Sequence, residues 1–232
     1  QLMHTQKMES IGTLAAGIAH EVGNPLASIS ALVQIILRSS TDSFIIEKLE
    51  LVKKQINRIS KIIRDLVDFS RPTRYELQQV NLNEIIIESI DIVRVGKKAK
   101  NLLFLSKLDD NLPKLPLVSD QIQQVFVNIL INAVDAIVDK QTKLGSDFNG
   151  EISVDSSFSD QMVTLTFSDN GDGISVENQT KIFEPFYTSK KDGKGTGLGL
   201  WVSYGIIKNF HGDIQVISSL ETGTQFIITL PI

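Results

Sequence analysis

The feature that most restricts the fold of this chain is an apolar heptad that runs without a break through its first third. Ile45, Leu49, Val52, Ile56, Ile59, Ile63 and Leu66 recur at alternating four- and three-residue steps. Such spacing keeps one apolar seam on a helix and calls for another helix to cover it. A stripe of the same helical kind precedes it, formed by Ile11, Leu14, Ile18, Val22, Pro25, Ile29, Leu32 and Ile36. Between the two lies the polar stretch Arg38–Ser43, in which Ser39, Ser40, Thr41, Asp42 and Ser43 are all N-cap types for the second helix. So short a connection makes the helices antiparallel neighbours. A single hairpin buries little surface and should be marginal alone. The stripes therefore predict a homodimer through residues 8–70, with two hairpins forming a four-helix bundle. Packing of the stripes on the rest of the same chain is the alternative, which the regular heptads disfavour.

Arg71-Pro72 ends the second helix, and the texture changes from about Gln79. The pattern predicts a helix over 82–98, a short strand over 102–108 and a strongly apolar helix over 120–140. Alternating segments at 150–156 and 162–168 predict adjacent strands. A Gly-rich region comes next, then a helix over 198–209 and strands over 213–218 and 224–230. The fold class is α followed by α+β: a helical hairpin over 1–72, a hinge over 73–80, and a second domain over 81–232. In that domain mostly antiparallel strands are covered on one face by helices, as an α/β sandwich.

Composition narrows the function. The formal charge of −4 gives no basic surface for nucleic acid. The absence of Cys excludes disulfides, Cys-ligated zinc and thiol catalysis. No stretch stays apolar for the ~18 residues of a membrane span, so no membrane contact is expected of this segment, and a cytoplasmic location is. The chain opens at Gln1 inside a helical pattern, from which a preceding N-terminal part able to hold membrane spans is expected.

His20 stands in His20-Glu21-Val22-Gly23-Asn24-Pro25-Leu26. At about 100° per residue it points roughly 160–200° away from the apolar centre of its helix, toward solvent. Glu21 is adjacent, and Asn24 lies one turn on along the same side. A neutral imidazole is a good nucleophile, and a neighbouring carboxylate can orient it and take its proton. Pro25, placed on the core side by this spacing, should distort the helix locally. Alone, an exposed His beside a Glu is unremarkable; a nucleophile needs a phosphoryl donor.

The second domain contains features suited to one. Asp169-Asn170-Gly171-Asp172-Gly173-Ile174 follows a predicted strand directly. Its glycines permit a tight turn and close approach to a ligand, and a carboxylate there can accept a hydrogen bond from an exocyclic amine such as that of adenine. A calcium loop is disfavoured because no further oxygen ligands follow at loop spacing. Gly193-Lys194-Gly195-Thr196-Gly197-Leu198-Gly199-Leu200 then runs into a helix, offering backbone N–H groups and a positive helix end to phosphate. It matches neither a P-loop nor a dinucleotide fingerprint. Lys190, Lys191 and Lys194 stand close by, where each is either a phosphate contact or a solvated loop lysine. Asn128 and Asn132 are one turn apart on the apolar helix. They either bond neighbouring backbone, or, for Asn132, offer a hard oxygen to Mg²⁺.

In combination these residues resemble the histidine kinases of two-component signalling, with five sequence boxes in order. The H-box is similar to Ala19-His20-Glu21-x-x-Asn24-Pro25-Leu26, and the N-box to Asn128-x-x-x-Asn132-Ala133. The remaining boxes resemble Asp169-x-Gly171-x-Gly173, Ile182-Phe183-Glu184-Pro185-Phe186 and Gly195-Thr196-Gly197-Leu198-Gly199-Leu200. The resemblance covers residues 8–232 and looks most like the nitrogen-regulation group. It implies a dimeric phosphoacceptor hairpin followed by a GHKL-type sandwich that binds Mg-ATP, with a response-regulator receiver domain as partner. His20 would be the nucleophile, Glu21 its general base, and Asn24 would position water or phosphoryl for a reverse phosphatase reaction. Asn132 would hold Mg²⁺ beside Asn128, and Asp169 would read the adenine amine. Gly171, Gly173, Ile174, Gly195, Thr196, Gly197, Leu198, Gly199 and Leu200 would line the nucleotide pocket. A lid between Phe186 and Lys194 would bring Phe186, Thr188, Lys190 and Lys194 to it.

Two departures stand out. Gly23 occupies a position that is bulky in many relatives, and Asp135 follows Asn132-Ala133 where some carry Lys. An ATPase machine of the gyrase or Hsp90 kind would need a Glu at position 128 to activate water; the amide there favours a kinase. A serine kinase of the anti-sigma type would lack the His-bearing hairpin, and a degenerate scaffold would not keep every box. His211 fits a helix C-terminal turn, and Trp201 fits packing.

Overall fold

The computed structural model describes residues 22–70, 76–145, 148–190 and 195–232. Two compact units make up the chain: Gln1–Arg74 with Pro185–Leu198, and Tyr75–Glu184 with Gly199–Ile232.

In the first unit, helix α1 covers residues 22–39 and α2 covers Ser43–Ser70. Asp42 caps α2, its Oδ1 accepting from the Phe44 N–H at 2.8 Å and the Ile45 N–H at 3.3 Å, so one of the five candidate cap residues does the work. The two helices pack through Leu26, Val33 and Ile56, with Val22, Leu37, Leu49 and Ile63 around them. The α2 heptad is thereby divided. Leu49, Ile56 and Ile63, spaced by seven, join this cluster, while Ile45, Val52 and Ile59, also spaced by seven, remain 41%, 42% and 40% exposed. On α1 the covered row is shifted by one residue from the predicted stripe. Pro25, Ile29, Leu32 and Ile36 are exposed in the single chain, so Pro25 lies outside the core of its own hairpin. Its helix still runs from 22 to 39 without a break. The reason is geometric: each helix carries apolar residues on two adjoining rows, and one neighbouring helix can cover only one of them.

The second unit is built on a five-stranded sheet, in the order β2 (Leu103–Lys107), β4 (Glu151–Ser159), β5 (Met162–Asp169), β7 (Gly223–Pro231) and β6 (Asp213–Ser219). Only the β2–β4 pair is parallel. A separate antiparallel pair joins β1 (Gln78–Val80) to β3 (Leu115–Leu117). The strands alternate as half-buried sheets do. Val154, Leu165, Phe167, Phe226, Ile228 and Leu230 are buried beneath helices α3 (Leu82–Arg94), α4 (Ser119–Leu144) and α6 (Gly199–Asn209). A one-turn α5 spans Val176–Gln179. The α4 helix supplies the largest apolar face, with Ile122, Val125, Phe126, Ile129, Leu130, Ala133, Val134 and Ile137 buried. The Phe126 ring stands 5.1 Å from that of Phe167 on β5.

Three sequence expectations need correction. The helix predicted to reach Lys98 ends at Arg94, because Gly96 adopts an extended conformation before a 3₁₀ turn at Lys97–Ala99. The three-residue strands β1 and β3 are too short to show alternation; β1 falls within the predicted hinge, with Val80 buried. Among the described residues α4 is long and apolar enough to cross a membrane, an 18-residue window of it having a mean hydropathy of 1.3, whereas the sequence reading found no such stretch. The buried face of α4 is the core of this unit.

Candidate functional site

On the first unit, Asn24 is exposed on α1, and its backbone carbonyl accepts a hydrogen bond from Ser28 Oγ at 3.2 Å. A Cβ at Gly23 would meet open space. His20 and Glu21 lie outside the described residues.

The second unit arranges its chemistry along one side of α4. Asn128, half-buried, donates from Nδ2 to the Gly199 carbonyl and to Ser203 Oγ, both at 3.4 Å. It therefore stands at the start of α6, the helix into which the Gly-rich segment runs. Asn132 follows one turn on and is also half-buried. One position beyond Val134, Asp135 forms an ion pair with Lys98 from the 3₁₀ turn. A lysine thus does reach the place where the N-box lacks one, but it comes from another element.

A further turn along, Ala136 abuts the Asp169–Gly173 loop. A Cβ on Gly171 would lie 2.7 Å from the Ala136 Cβ, so only glycine lets this loop approach the helix. Gly173 has φ +75 and stands against the Ser219 carbonyl, so its conformation and its neighbour both require glycine. The Ile174 N–H donates to Ser218 Oγ at 2.8 Å.

Asp169 ends β5 opposite Thr224 of β7. Its Oδ1 accepts from the Gly171 N–H at 2.8 Å. Burial raises its pKa to about 6, against the opposing influence of the Gly171 and Thr224 N–H groups and the positive charge of Lys140. Such a carboxyl is ionised at neutral pH, yet held in a poorly hydrated place. It is suited to accepting one directed hydrogen bond.

Lys140, which belongs to none of the sequence motifs, is the principal structural addition. It is buried and donates from Nζ to the carbonyls of Asn170 at 2.7 Å, Gly171 at 3.2 Å and Glu221 at 2.6 Å. The Phe148 ring lies 4.7 Å from the same nitrogen. The signal was available: Lys140 continues the buried row Ala133, Ile137 by helical spacing. A lysine in such a row needs three acceptors.

The segment Pro185–Leu198 belongs to the first unit. Phe186 is exposed and has φ 64. The Lys190 N–H donates to Thr188 Oγ1 at 3.2 Å, and the Leu198 N–H to Thr196 Oγ1 at 3.4 Å. Gly195 sits against Thr188, and Gly197, with φ +71, against the Phe186 backbone. Residues 195 and 197 thus lie against residues 188 and 186. Lys194 and Lys191 lie outside the described residues. Leu198 is buried, whereas Leu200 is half-buried on α6. Phe183 packs against Tyr204 and Phe226, Trp201 is buried, and His211 takes the left-handed turn (φ 59) that ends α6.

Among the described residues, no group of three or more His, Cys, Asp or Glu could hold a metal. An ion here would be one bound largely through ligand phosphates and water, with an amide oxygen such as that of Asn132. Mg²⁺ fits that donor set.

Two family models match the chain. Residues 117–232 match the histidine kinase-, DNA gyrase B- and HSP90-like ATPase model, and residues 10–74 match the His Kinase A phospho-acceptor domain. The signal transduction histidine-protein kinase AtoS of Escherichia coli K12 is 38% identical over 100% of this chain and 36% of its own length. The chain spans less than half the length of such curated relatives. Among solved structures, full-length ShkA in complex with AMPPNP aligns with a TM-score of 0.69, over 94% of this chain and 45% of that one, at 17% identity. Histidine kinase ThkA in complex with response regulator protein TrrA aligns with a TM-score of 0.67, over 98% of this chain and 64% of that one, at 25% identity.

Proposed function

Because the chain belongs to the histidine kinase-, DNA gyrase B- and HSP90-like ATPases and joins that domain to a phospho-acceptor domain, as the catalytic core of a two-component histidine kinase does, we propose that it phosphorylates its own His20 from ATP and passes the phosphoryl group to an Asp of a response-regulator receiver domain. The observation that supports this reading most is the pairing of a half-buried carboxylate of raised pKa, Asp169, with an amide at Asn128. The relatives that hydrolyse ATP use a carboxylate base at that helix position, as the resemblance implies. An amide is a poor base, so bound ATP persists until a protein nucleophile arrives.

The chemistry then divides among named groups. A ring nitrogen of His20 attacks the γ-phosphorus; the N–P bond forms as the bond to the β-phosphate oxygen breaks, ADP leaves, and Glu21 takes the ring proton. A receiver carboxylate next attacks the phosphorus, and the imidazole leaves. Asn24 positions water or phosphoryl in the reverse, phosphatase direction. Asn132, next to Asn128, would hold Mg²⁺ in part, and the ion would supply charge neutralisation for the phosphates. Asp169 reads the adenine amine, and Gly171, Gly173 and Ile174 shape its side of the pocket. Gly195, Thr196, Gly197, Leu198, Gly199 and Leu200 present the phosphate-binding turn, and a lid bearing Phe186, Thr188, Lys190 and Lys194 covers it. The division of labour is a phosphotransfer hairpin at 1–72, a linker at 73–80 and the ATP-binding domain at 81–232.

Two hairpins pair through the rows that each leaves exposed, Ile29, Leu32 and Ile36 with Ile45, Val52 and Ile59, giving a homodimeric four-helix bundle. The ThkA–TrrA complex supports a receiver domain as the second partner. ATP and a receiver domain as reactants support a cytoplasmic location for this segment, and neither nucleic acid nor membrane is assigned to it. The test is labelling with γ-³²P ATP: the purified chain should acquire an acid-labile, alkali-stable phosphate, His20→Gln should abolish it, and Asn132→Ala should lower Mg-dependent ATP binding. Label persisting in His20→Gln would place the acceptor elsewhere.

A further inference from the structure

Lys140 is a charged group in the interior of the ATP-binding unit with no assigned part in nucleotide binding. All three of its N–H donors end on backbone carbonyls: Asn170 and Gly171 in the loop after β5, and Glu221 in the turn between β6 and β7. The same dipeptide that receives two of these bonds sends one to the carboxylate, since the Gly171 N–H donates to Asp169 Oδ1. The turn on the far side is tied in as well. The Glu221 N–H donates to the Asp172 carbonyl at 2.8 Å, and Glu221 itself has φ 69, a left-handed conformation unusual for a side-chain-bearing residue. On the next turn of α4, Lys143 pairs with the Asp172 side chain. Two loops and one helix thus converge on a single ammonium, one link away from the Asp169 carboxylate proposed to read adenine.

We infer that Lys140 is a positioning residue for nucleotide selection, fixing the Asn170–Gly171 peptide so that Asp169 presents its carboxylate to the exocyclic amine of adenine. The inference rests on the nucleotide-binding reading given above. A lysine is suited to this role because its three donors match three separate carbonyls at tetrahedral spread. The planar guanidinium of Arg would not. Removing the ammonium takes the lysine donor from three carbonyls, the Gly171 one buried and the Asn170 and Glu221 ones partly so, and frees the Gly171 peptide to turn away from Asp169. Base discrimination is then lost before triphosphate binding is, because a hydrogen-bonding site rejects the analogue lacking the group only while its own donor and acceptor are held in place.

The lysine also acts on Asp169 through space. Its charge is the ionic influence that opposes the effect of burial on that carboxyl. Among the described groups that perturb Asp169, the others are the backbone N–H groups of Gly171 and Thr224.

The test measures binding of AMPPNP and of inosine triphosphate, whose base lacks the exocyclic amine, to the whole chain and to Lys140→Met between about pH 5 and 8. In the unaltered chain AMPPNP should bind tighter than the inosine nucleotide. In Lys140→Met the AMPPNP dissociation constant should rise about tenfold, the inosine nucleotide should change little, and the pH midpoint for AMPPNP binding should move upward. A general loosening of the fold would weaken both nucleotides alike and leave the midpoint in place; that pattern overturns the proposal, as does unchanged discrimination. Should Lys140→Met not fold, the buried Lys140 ammonium of the unaltered, lysine-labelled chain can be followed by NMR. Its signal must respond to AMPPNP more than to inosine triphosphate, and an indifferent signal defeats the assignment. Failure of the unaltered chain to bind AMPPNP at all would instead strike the nucleotide-binding reading.

Discussion

Asp169 places a measurable cost on the folded protein, and Asp169→Asn should reveal it. In the folded state its carboxyl titrates at about 6, because burial penalises the anion more than its hydrogen bonds and Lys140 favour it. In the unfolded chain it titrates near 3.8. As pH rises from below about 4 to above about 6, the unfolded state therefore binds fewer protons than the folded one, and stability falls through that window. Moving a carboxyl from 3.8 to about 6 corresponds to a total loss of about 3 kcal/mol. Replacement by the neutral amide keeps an acceptor for the Gly171 N–H and removes the cost. Its added N–H donors need partners, however, which lowers the expected gain to about 1–3 kcal/mol at neutral pH. The chain's single Trp, Trp201, is buried on α6 and reports unfolding of this unit by fluorescence. Urea titrations of the nucleotide-free protein across pH 4.5–8, in steps of about half a unit, should show stability falling with pH in the unaltered chain by about 2 kcal/mol more than in the variant, the rest of the loss lying below pH 4.5. The variant should also lose adenine recognition, so the substitution that stabilises the fold removes its ligand. Equal pH dependence of the two proteins would refute the argument that burial of this carboxyl is what perturbs it.

Other outcomes follow from packing and backbone geometry. Gly223 has φ +119, and a Cβ there would overlap the Asp169 carbonyl oxygen; Gly223→Ala should cost about 3 kcal/mol in urea unfolding and weaken AMPPNP binding at the same time. Val52→Glu with Ile59→Glu charges the row of α2 that its own hairpin leaves open. It should raise the dimer dissociation constant at least about a hundredfold in sedimentation velocity, with helical circular dichroism retained; a variant that stays dimeric would place the interface elsewhere. Asp42→Ala removes the α2 cap and should cost about 1 kcal/mol, seen as faster hydrogen exchange at Phe44, Ile45 and Ile46. Nucleotide binding to the unaltered chain should strengthen as pH rises through about 6, because the ionised Asp169 is a stronger acceptor for the adenine amine than the protonated carboxyl. A flat profile would count against that role.

Local periodicity carries a good deal of this molecule on its face. The heptad from Ile45 to Leu66 specifies a helix wanting helical partners, because its side-chain spacing depends on nothing beyond the chain itself. The alternation at Glu151–Ser159 and Met162–Asp169 likewise specifies half-buried strands. The Gly-rich boxes and the two asparagines of α4 suit the proposed nucleotide site in residue type, and the family resemblance joins them. Tertiary structure decided what depends on neighbours distant in sequence. Each helix of the hairpin carries two apolar rows, and only the approach of the other helix selected Leu49 and Ile56 over Val52 and Ile59 for the inner one. Three-residue strands such as Gln78–Val80 exist because a partner strand lies beside them, a condition no local pattern encodes. Lys140 looked like one more lysine at a helix end. Its importance comes from carbonyls contributed by residues 170, 171 and 221, which only the folded sheet brings within reach of one ammonium.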